Sequence, residues 1–389
     1  MPPRFAITRH VLLLGSVFAG IGVVQPFLPA FLAARGLSPG EVSLVLAAGS
    51  GIRLLAGPLA GRGADALGDP RLLLALAALA GALASGGYLL AGTVLGFLLT
   101  QLAFHAASAP LTPLTDTLCL AAARRDWLDY GRVRAAGSLA FMAAAMAAGW
   151  LAGRLGLGVV PLLMGGAMLA TLAAALLLPR AGADGRSLAR RREGGFRATL
   201  RLPGFIRLLL LSGLIQSSHA AYYAFGSIHW SAAGLSATGI GLLWALGVVG
   251  EVLLFLLGRR LVARLGARGL ALLAAGAGVL RWSTLAGTAW LPALVATQLL
   301  HALTFGAQHL AAMQLILALV PPAQAGTAQT LHAALGVGLM SGSMTLLCGP
   351  LYAAWGAGVF LVMAGLCLLA LPLALGLPRG GAGASAAPS

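Results

Sequence analysis

The sequence predicts an all-α membrane protein: twelve transmembrane helices in two six-helix bundles. Three observations carry this. First, only 9% of the 389 residues are charged and 59% are hydrophobic, whereas a water-soluble domain carries roughly 25% charged residues. Second, the apolar residues form continuous runs of about 20, the length that crosses a bilayer as a helix, and do not alternate as in a transmembrane barrel. Third, the 25 basic residues, all Arg, leave a net charge of +16 and gather on one side of the resulting topology. This composition excludes a cytosolic enzyme, a secreted domain and a disordered chain.

Cutting the chain at charges and at Gly/Pro clusters gives spans over 8–33, 41–61, 71–91, 94–119, 132–153, 157–178, 204–227, 238–258, 269–288, 291–318, 327–350 and 356–377. The first follows Arg4 and Arg9 but is too long for a signal peptide and contains Pro26 and Pro29, so it reads as an uncleaved, bent helix. Cys119, Cys348 and Cys367 lie in apolar runs without metal-ligand spacing and read as buried small residues.

With the N-terminus inside, 21 Arg residues fall on the cytoplasmic side and only Arg35 and Arg154 outside. The positive-inside rule therefore fixes orientation and span parity together. The expected location is a bacterial inner membrane, with both termini cytoplasmic. The longest loop holds Arg186, Arg190, Arg191, Arg192 and Arg197, which read as a topology signal in contact with anionic lipid. The chain thus divides into a bundle at 1–178, an Arg-rich linker at 179–203, a bundle at 204–378 and a disordered tail at 379–389. No nucleic-acid-binding fold surrounds the linker. Two equivalent loops, GRGADALGDPR (Gly61–Arg71) and GRRLVARLGAR (Gly258–Arg268), resemble the short Gly-Asp-Arg-Gly-Arg loop of the major facilitator superfamily. Asp65, Gly68 and Arg264 are the residues that would lock one conformation there. The six-plus-six plan is that superfamily's plan, with halves related by an axis along the membrane normal.

Charges inside spans cost roughly 2.5–3.5 kcal/mol each on insertion scales and are functional candidates by default. Away from the span ends four stand out: Arg53 in span 2, Asp116 late in span 4, Glu251 in span 8 and Arg281 in span 9. Glu251 lies roughly 10 Å and Arg281 roughly 18 Å from the inner ends of their helices, a gap that an Arg side chain spans in large part. Polar stripes at helical spacing predict a water-filled interior. Span 4 carries Gln101, His105, Ser108 and Thr112, with Asp116 continuing the face; span 7 carries Gln216, His219 and Tyr223; span 10 carries Gln298, His301, Phe305 and His309.

Longer strings carry a resemblance. PLTPLTDTL (Pro110–Leu118), YGRVRAAGSLAF (Tyr130–Phe141), HAAYYAFGSIHW (His219–Trp230), LWALGVVGEVLLF (Leu243–Phe255), VLRW (Val279–Trp282) and LLHALTFGAQHLAAM (Leu299–Met313) together resemble the 3-phenylpropionic acid transporter family of proton symporters. The chain is more distantly similar to lactose permease and to nucleoside–proton symporters. The resemblance implies a Glu and an Arg on spans 8 and 9 acting with a span 10 histidine, which Glu251, Arg281 and His301 or His309 match in kind. Span 10 has no Glu of its own, and His332 stands near the place where a Gln is expected on span 11.

The resulting expectation is a secondary transporter, not an enzyme, taking up a small organic acid such as an aromatic carboxylate with a proton. It needs no cofactor beyond that coupling proton and no metal, and works as a monomer among membrane lipids. Glu251, Arg281, His301, His309 and Asp116 are the expected proton-coupling residues. Arg53, Arg281, Gln25, His105, His219, Tyr222, Tyr223, Trp244 and Phe305 are the expected substrate contacts, with Trp282 adding to an aromatic wall. A sugar or nucleoside symporter and a drug–proton antiporter are the alternatives; the antiporters' span 5 motif contains a Pro, which Ser138–Gly149 lacks.

Overall fold

The computed structural model describes residues 5–178 and 195–377. The Arg run at 186–192 and the tail at 379–389 lie outside them. Span 1 is Ala6–Ala34, span 2 Pro39–Leu67, span 3 Pro70–Leu90, span 4 Val94–Ala123, span 5 Tyr130–Leu155 and span 6 Leu157–Leu177. A short helix, Phe196–Leu200, precedes the second half. Span 7 is built from Phe205–Ser217 and Ala220–Ala232. Span 8 is Ala237–Leu257, span 9 Arg259–Gly287 and span 10 Leu291–Leu319. Span 11 comprises Ala325–Leu331, His332–Leu339 and Met340–Trp355, and span 12 is Val359–Leu375. No strand occurs among the described residues, as the twelve-helix reading requires.

Local sequence sets the helix ends. Ser38 and Glu41 form a capping box, the Ser38 N–H donating to Glu41 Oε2 at 2.8 Å. Asp69, Thr93, Asp129 and Ser236 each accept a backbone N–H of the helix they precede, which satisfies a donor that would otherwise be orphaned. Several of the few acids are therefore used at helix N-termini, where the dipole favours negative charge. Span 1 runs as one helix through both prolines.

Two loop readings change. Gly258–Arg268 is not a loop: span 9 begins at Arg259 and is broken only at Gly266, whose φ of 58° and ψ of −176° lie outside helical geometry. Arg264 thus sits on a helix, two residues before the kink. In the equivalent first-half segment, helix continues to Leu67 and the turn comes at Gly68, with φ 65°. The Asp65 side chain lies outside the described ones. The acid seen pairing there is Asp69, 3.4 Å from Arg71, while Arg71 Nη1 donates to the Leu178 carbonyl at 2.8 Å and ties span 3 to the end of span 6.

Spans 1–6 pack on one another, spans 7–12 likewise, and the halves meet chiefly along spans 2 with 11, 5 with 8 and 1 with 7. The first two pairs are equivalent under exchange of the halves, as a pseudo-two-fold axis demands. Small residues set these contacts. A Cβ on Gly349 would strike Ser43 and the Pro39 carbonyl; one on Gly241 would strike the Ala145 carbonyl, and one on Gly149 the Ala237 carbonyl. All of these lie in the halves of the helices away from the Arg-rich loops. The bundles are therefore joined near the Arg-poor face, and the space between them is approached from the Arg-rich face. Large apolar side chains exposed around the outside, such as Leu83, Leu90 and Leu317, suit a hydrocarbon surround.

Candidate functional site

The C-terminal half buries a chain of charged and polar groups. Arg281, fully buried on span 9, donates from Nη1 to His301 Nδ1 at 2.8 Å. His301 Nε2 lies 2.9 Å from Glu251 Oε1. A guanidinium can only donate, so Nδ1 must be the accepting nitrogen and Nε2 carries the proton directed at the carboxylate. A neutral imidazole thus links the cation to the anion. The direct Glu251–Arg281 approach expected from the sequence is not formed: the two groups sit at different depths, and the His301 ring fills the interval.

Uncharged groups complete the chain. Arg281 Nη1 also donates to Thr304 Oγ1 at 3.0 Å. His219 Nδ1 faces the Ile215 carbonyl at 3.1 Å and must donate to it, so its Nε2, 3.0 Å from Thr304 Oγ1, accepts the threonine hydroxyl. Tyr222 donates to Gln298 Oε1 at 2.8 Å. The guanidinium carbon lies 4.7 Å from the Tyr222 ring centre and 4.5 Å from that of Trp282, an arrangement that attracts a cation to two ring faces. Trp244 stacks on Tyr222 at 4.5 Å and anchors its own N–H on Ser227. Trp282 donates to Ser218 at 3.0 Å, and Phe305 stacks on His301 at 5.4 Å. Tyr222, Trp244, Trp282 and Phe305, expected to wall the substrate, instead box in Arg281 and the two histidines.

The backbone of span 10 explains this placement. Residues Ala302–Ala307 form a π-helical turn, a local widening often found at functional sites. It breaks the regular stripe projected from 3.6-residue spacing. His301 and Thr304 turn towards Arg281, while His309 is exposed and outside the hydrogen-bonded chain. Span 11 has a second π segment, His332–Leu339, in which His332 is buried.

Between the bundles lies a cavity of about 330 Å³. The span 4 stripe lines it as its spacing predicts: Gln101, His105, Ser108 and Thr112 all reach it. Asp116 does not; it accepts the Tyr130 hydroxyl at 3.1 Å near the Arg-rich end. Gln25, Arg53, Gln216 and Tyr223 also line the cavity. Its apolar walls come from residues that carried no sequence signal, including Ile21, Val24, Leu28, Phe104 and Met168. Tyr223 joins the cavity to the buried chain, its ring stacked 5.7 Å from that of His219. Thr304 is the chain member that sequence reasoning missed, since it carries no charge, while Gln298 was placed on the span 10 stripe.

The model of the MFS_1 like family matches residues 11–363. A probable 3-phenylpropionic acid transporter of Escherichia coli (strain K12) is 37% identical over 360 residues, covering 91% of this chain and 93% of that protein. A maltose permease of Geobacillus stearothermophilus is 29% identical, covering 91% and 89%. The crystal structure of the nucleoside transporter NupG superposes with a TM-score of 0.82 at 15% identity, covering 95% of this chain and 98% of that one. A family match across nearly the whole chain, two bundles meeting at a central cavity and a close full-length relative agree: the chain belongs to the MFS_1-like family and is a secondary transporter of the major facilitator superfamily.

Proposed function

We propose that this transporter carries a small organic acid, such as an aromatic monocarboxylate, together with a proton, by alternating access of the central cavity. The observation that carries the reading is the Arg281–His301–Glu251 chain. In it one half-buried acid answers one buried cation through an imidazole that holds a proton between them. A proton delivered to Glu251 removes the negative end of the chain and leaves Arg281 uncompensated. A substrate carboxylate in the cavity then restores neutrality, so the loaded carrier holds no net added charge. Reorientation with an unbalanced charge inside the membrane is costly, which ties the movement of the acid to that of the proton. The 37% identical relative, named as a probable 3-phenylpropionic acid transporter, supports the substrate class. With the Arg-rich face cytoplasmic, the present arrangement is inward-facing.

The test is Glu251→Gln in proteoliposomes, with 3-phenylpropionate, maltose and a nucleoside as candidate substrates. Wild type should accumulate the acid under an inwardly directed proton gradient. The variant should lose uphill accumulation and keep substrate exchange. Unchanged accumulation removes Glu251 from coupling, and uptake of maltose or nucleoside in place of the acid replaces the substrate class.

A further inference from the structure

Two guanidinium groups stand inside the membrane, and their surroundings differ. Arg281 is fully buried, its Nη1 held by His301 and Thr304 and its faces covered by Tyr222 and Trp282. Arg53 lines the central cavity with a free surface and forms no ion pair among the described residues. The same cavity is lined by Gln101, completely buried. The Tyr88 hydroxyl donates to Gln101 Oε1, which fixes the amide so that Nε2 is the free end. That Nε2 finds no hydrogen-bond partner among the described residues. A buried amide N–H₂ without an acceptor is costly, and a cation facing a cavity without an anion is incompletely paired. Both shortfalls are of one kind: two donor groups on the N-terminal bundle lack an acidic acceptor.

We propose that Arg53, with the Gln101 amide, holds the substrate carboxylate, and that Arg281 does not touch substrate. Binding and coupling then reside on opposite bundles. This rests on the organic-acid reading and narrows it. The head group is an anion at the N-terminal wall, and the body is a compact apolar group lying along Val17, Ile21, Val24, Leu28 and Phe104. The cavity falls within the size range of small-molecule sites. His105 adds an acceptor, because its Nδ1 is turned to the Gln101 carbonyl at 3.2 Å and must donate there, leaving Nε2 with a lone pair. On the far side, Tyr223 faces the same cavity and leans on His219, which is bonded through Thr304 to Arg281. An occupied cavity therefore reaches the coupling chain through Tyr223 and not through the guanidinium itself.

The experiment compares 3-phenylpropionate with its neutral amide, 3-phenylpropionamide, as binding probes. The full-length protein in lipid nanodiscs is used as wild type, Arg53→Gln, Arg53→Lys, Gln101→Leu and Arg281→Lys. Arg53→Gln should weaken acid binding by about 10- to 100-fold, the loss expected for a charge-assisted hydrogen bond, and leave the amide within about threefold. Arg53→Lys should recover part of the acid affinity, and Gln101→Leu should weaken acid more than amide. Arg281→Lys should bind acid like wild type yet fail to accumulate it in proteoliposomes. Equal acid affinity in Arg53→Gln and wild type overturns the proposal, as does a selective loss of acid binding in Arg281→Lys. The acid-to-amide ratio within one variant separates a lost contact from a damaged fold. If wild type binds neither probe but takes up a sugar or nucleoside, the organic-acid reading falls and the proposal falls with it. If wild type transports the acid and Arg53→Gln still binds it fully, only the present proposal falls.

Discussion

His301 is the residue on which the buried chemistry turns, because its two nitrogens answer opposite charges at 2.8 and 2.9 Å. A glutamine there offers one acceptor and one donor and can keep both contacts; a phenylalanine of similar volume keeps neither. His301→Phe leaves a guanidinium and a carboxylate buried without their link, a change that costs about 3–5 kcal/mol when one partner of a buried pair is removed. His301→Gln should stay within about 1 kcal/mol of wild type, the size of a single retained hydrogen bond. Thermal unfolding in detergent distinguishes them: the Phe variant should melt well below both others. At this scale the sequence was legible for charge and silent on neutrality. Glu251, Arg281 and Arg53 stood out because a charge in an apolar run is conspicuous. Thr304 did not, since a Thr in a membrane helix has many ordinary uses, and Gln298 entered only as a member of the span 10 stripe. Which histidine would bridge Glu251 and Arg281 depended on ring position to within an ångström or two, which spacing does not supply.

Among the elements, the contrast between spans 4 and 10 shows where periodicity holds. Gln101, His105, Ser108 and Thr112 were read as one face and all line the cavity. The same arithmetic held for Gln298, His301 and Phe305, which gather around Arg281, and failed at His309, which lies beyond the π turn at Ala302–Ala307 and is exposed. Nothing in ALTFGA announces that turn. The aromatic wall was misplaced for a related reason: aromatic residues near a cation were assigned to substrate, yet a desolvated guanidinium needs ring faces of its own. The close pairing of spans 5 and 8 gives a prediction. A Cβ on Gly153 would lie 3.6 Å from Thr238 Oγ1, so cysteines at the two positions are near bonding distance in this arrangement. The pair Gly153→Cys/Thr238→Cys should oxidise readily, stop transport and regain it on reduction, as read by uptake before and after dithiothreitol. Free transport by the oxidised protein would mean that spans 5 and 8 do not part at this end.

For the molecule as a whole, hydropathy gave the span number and the Arg asymmetry gave orientation and parity together. The described helices bear out the count, although span 7 is broken near Ser218 and spans 11 and 12 are divided at Gly356. Orientation follows from the same asymmetry and is testable: reporter fusions after residue 190 and at the C-terminus should both read as cytoplasmic, and one after Gly156 as external. The relative setting of the bundles was not legible, because a transporter's sequence encodes more than one arrangement and hydropathy is the same in each. The joint that holds the present arrangement is made of glycine, alanine and serine. The Ser43 hydroxyl donates across it to the Leu346 carbonyl at 3.2 Å, and neither ion pair among the described residues crosses it. Such a seam is built of uncharged side chains, so mobile ions have little there to screen. Raising ionic strength should leave the rate of opening at the Arg-poor face unchanged, while anything that thickens the seam by a single methyl group should weaken it.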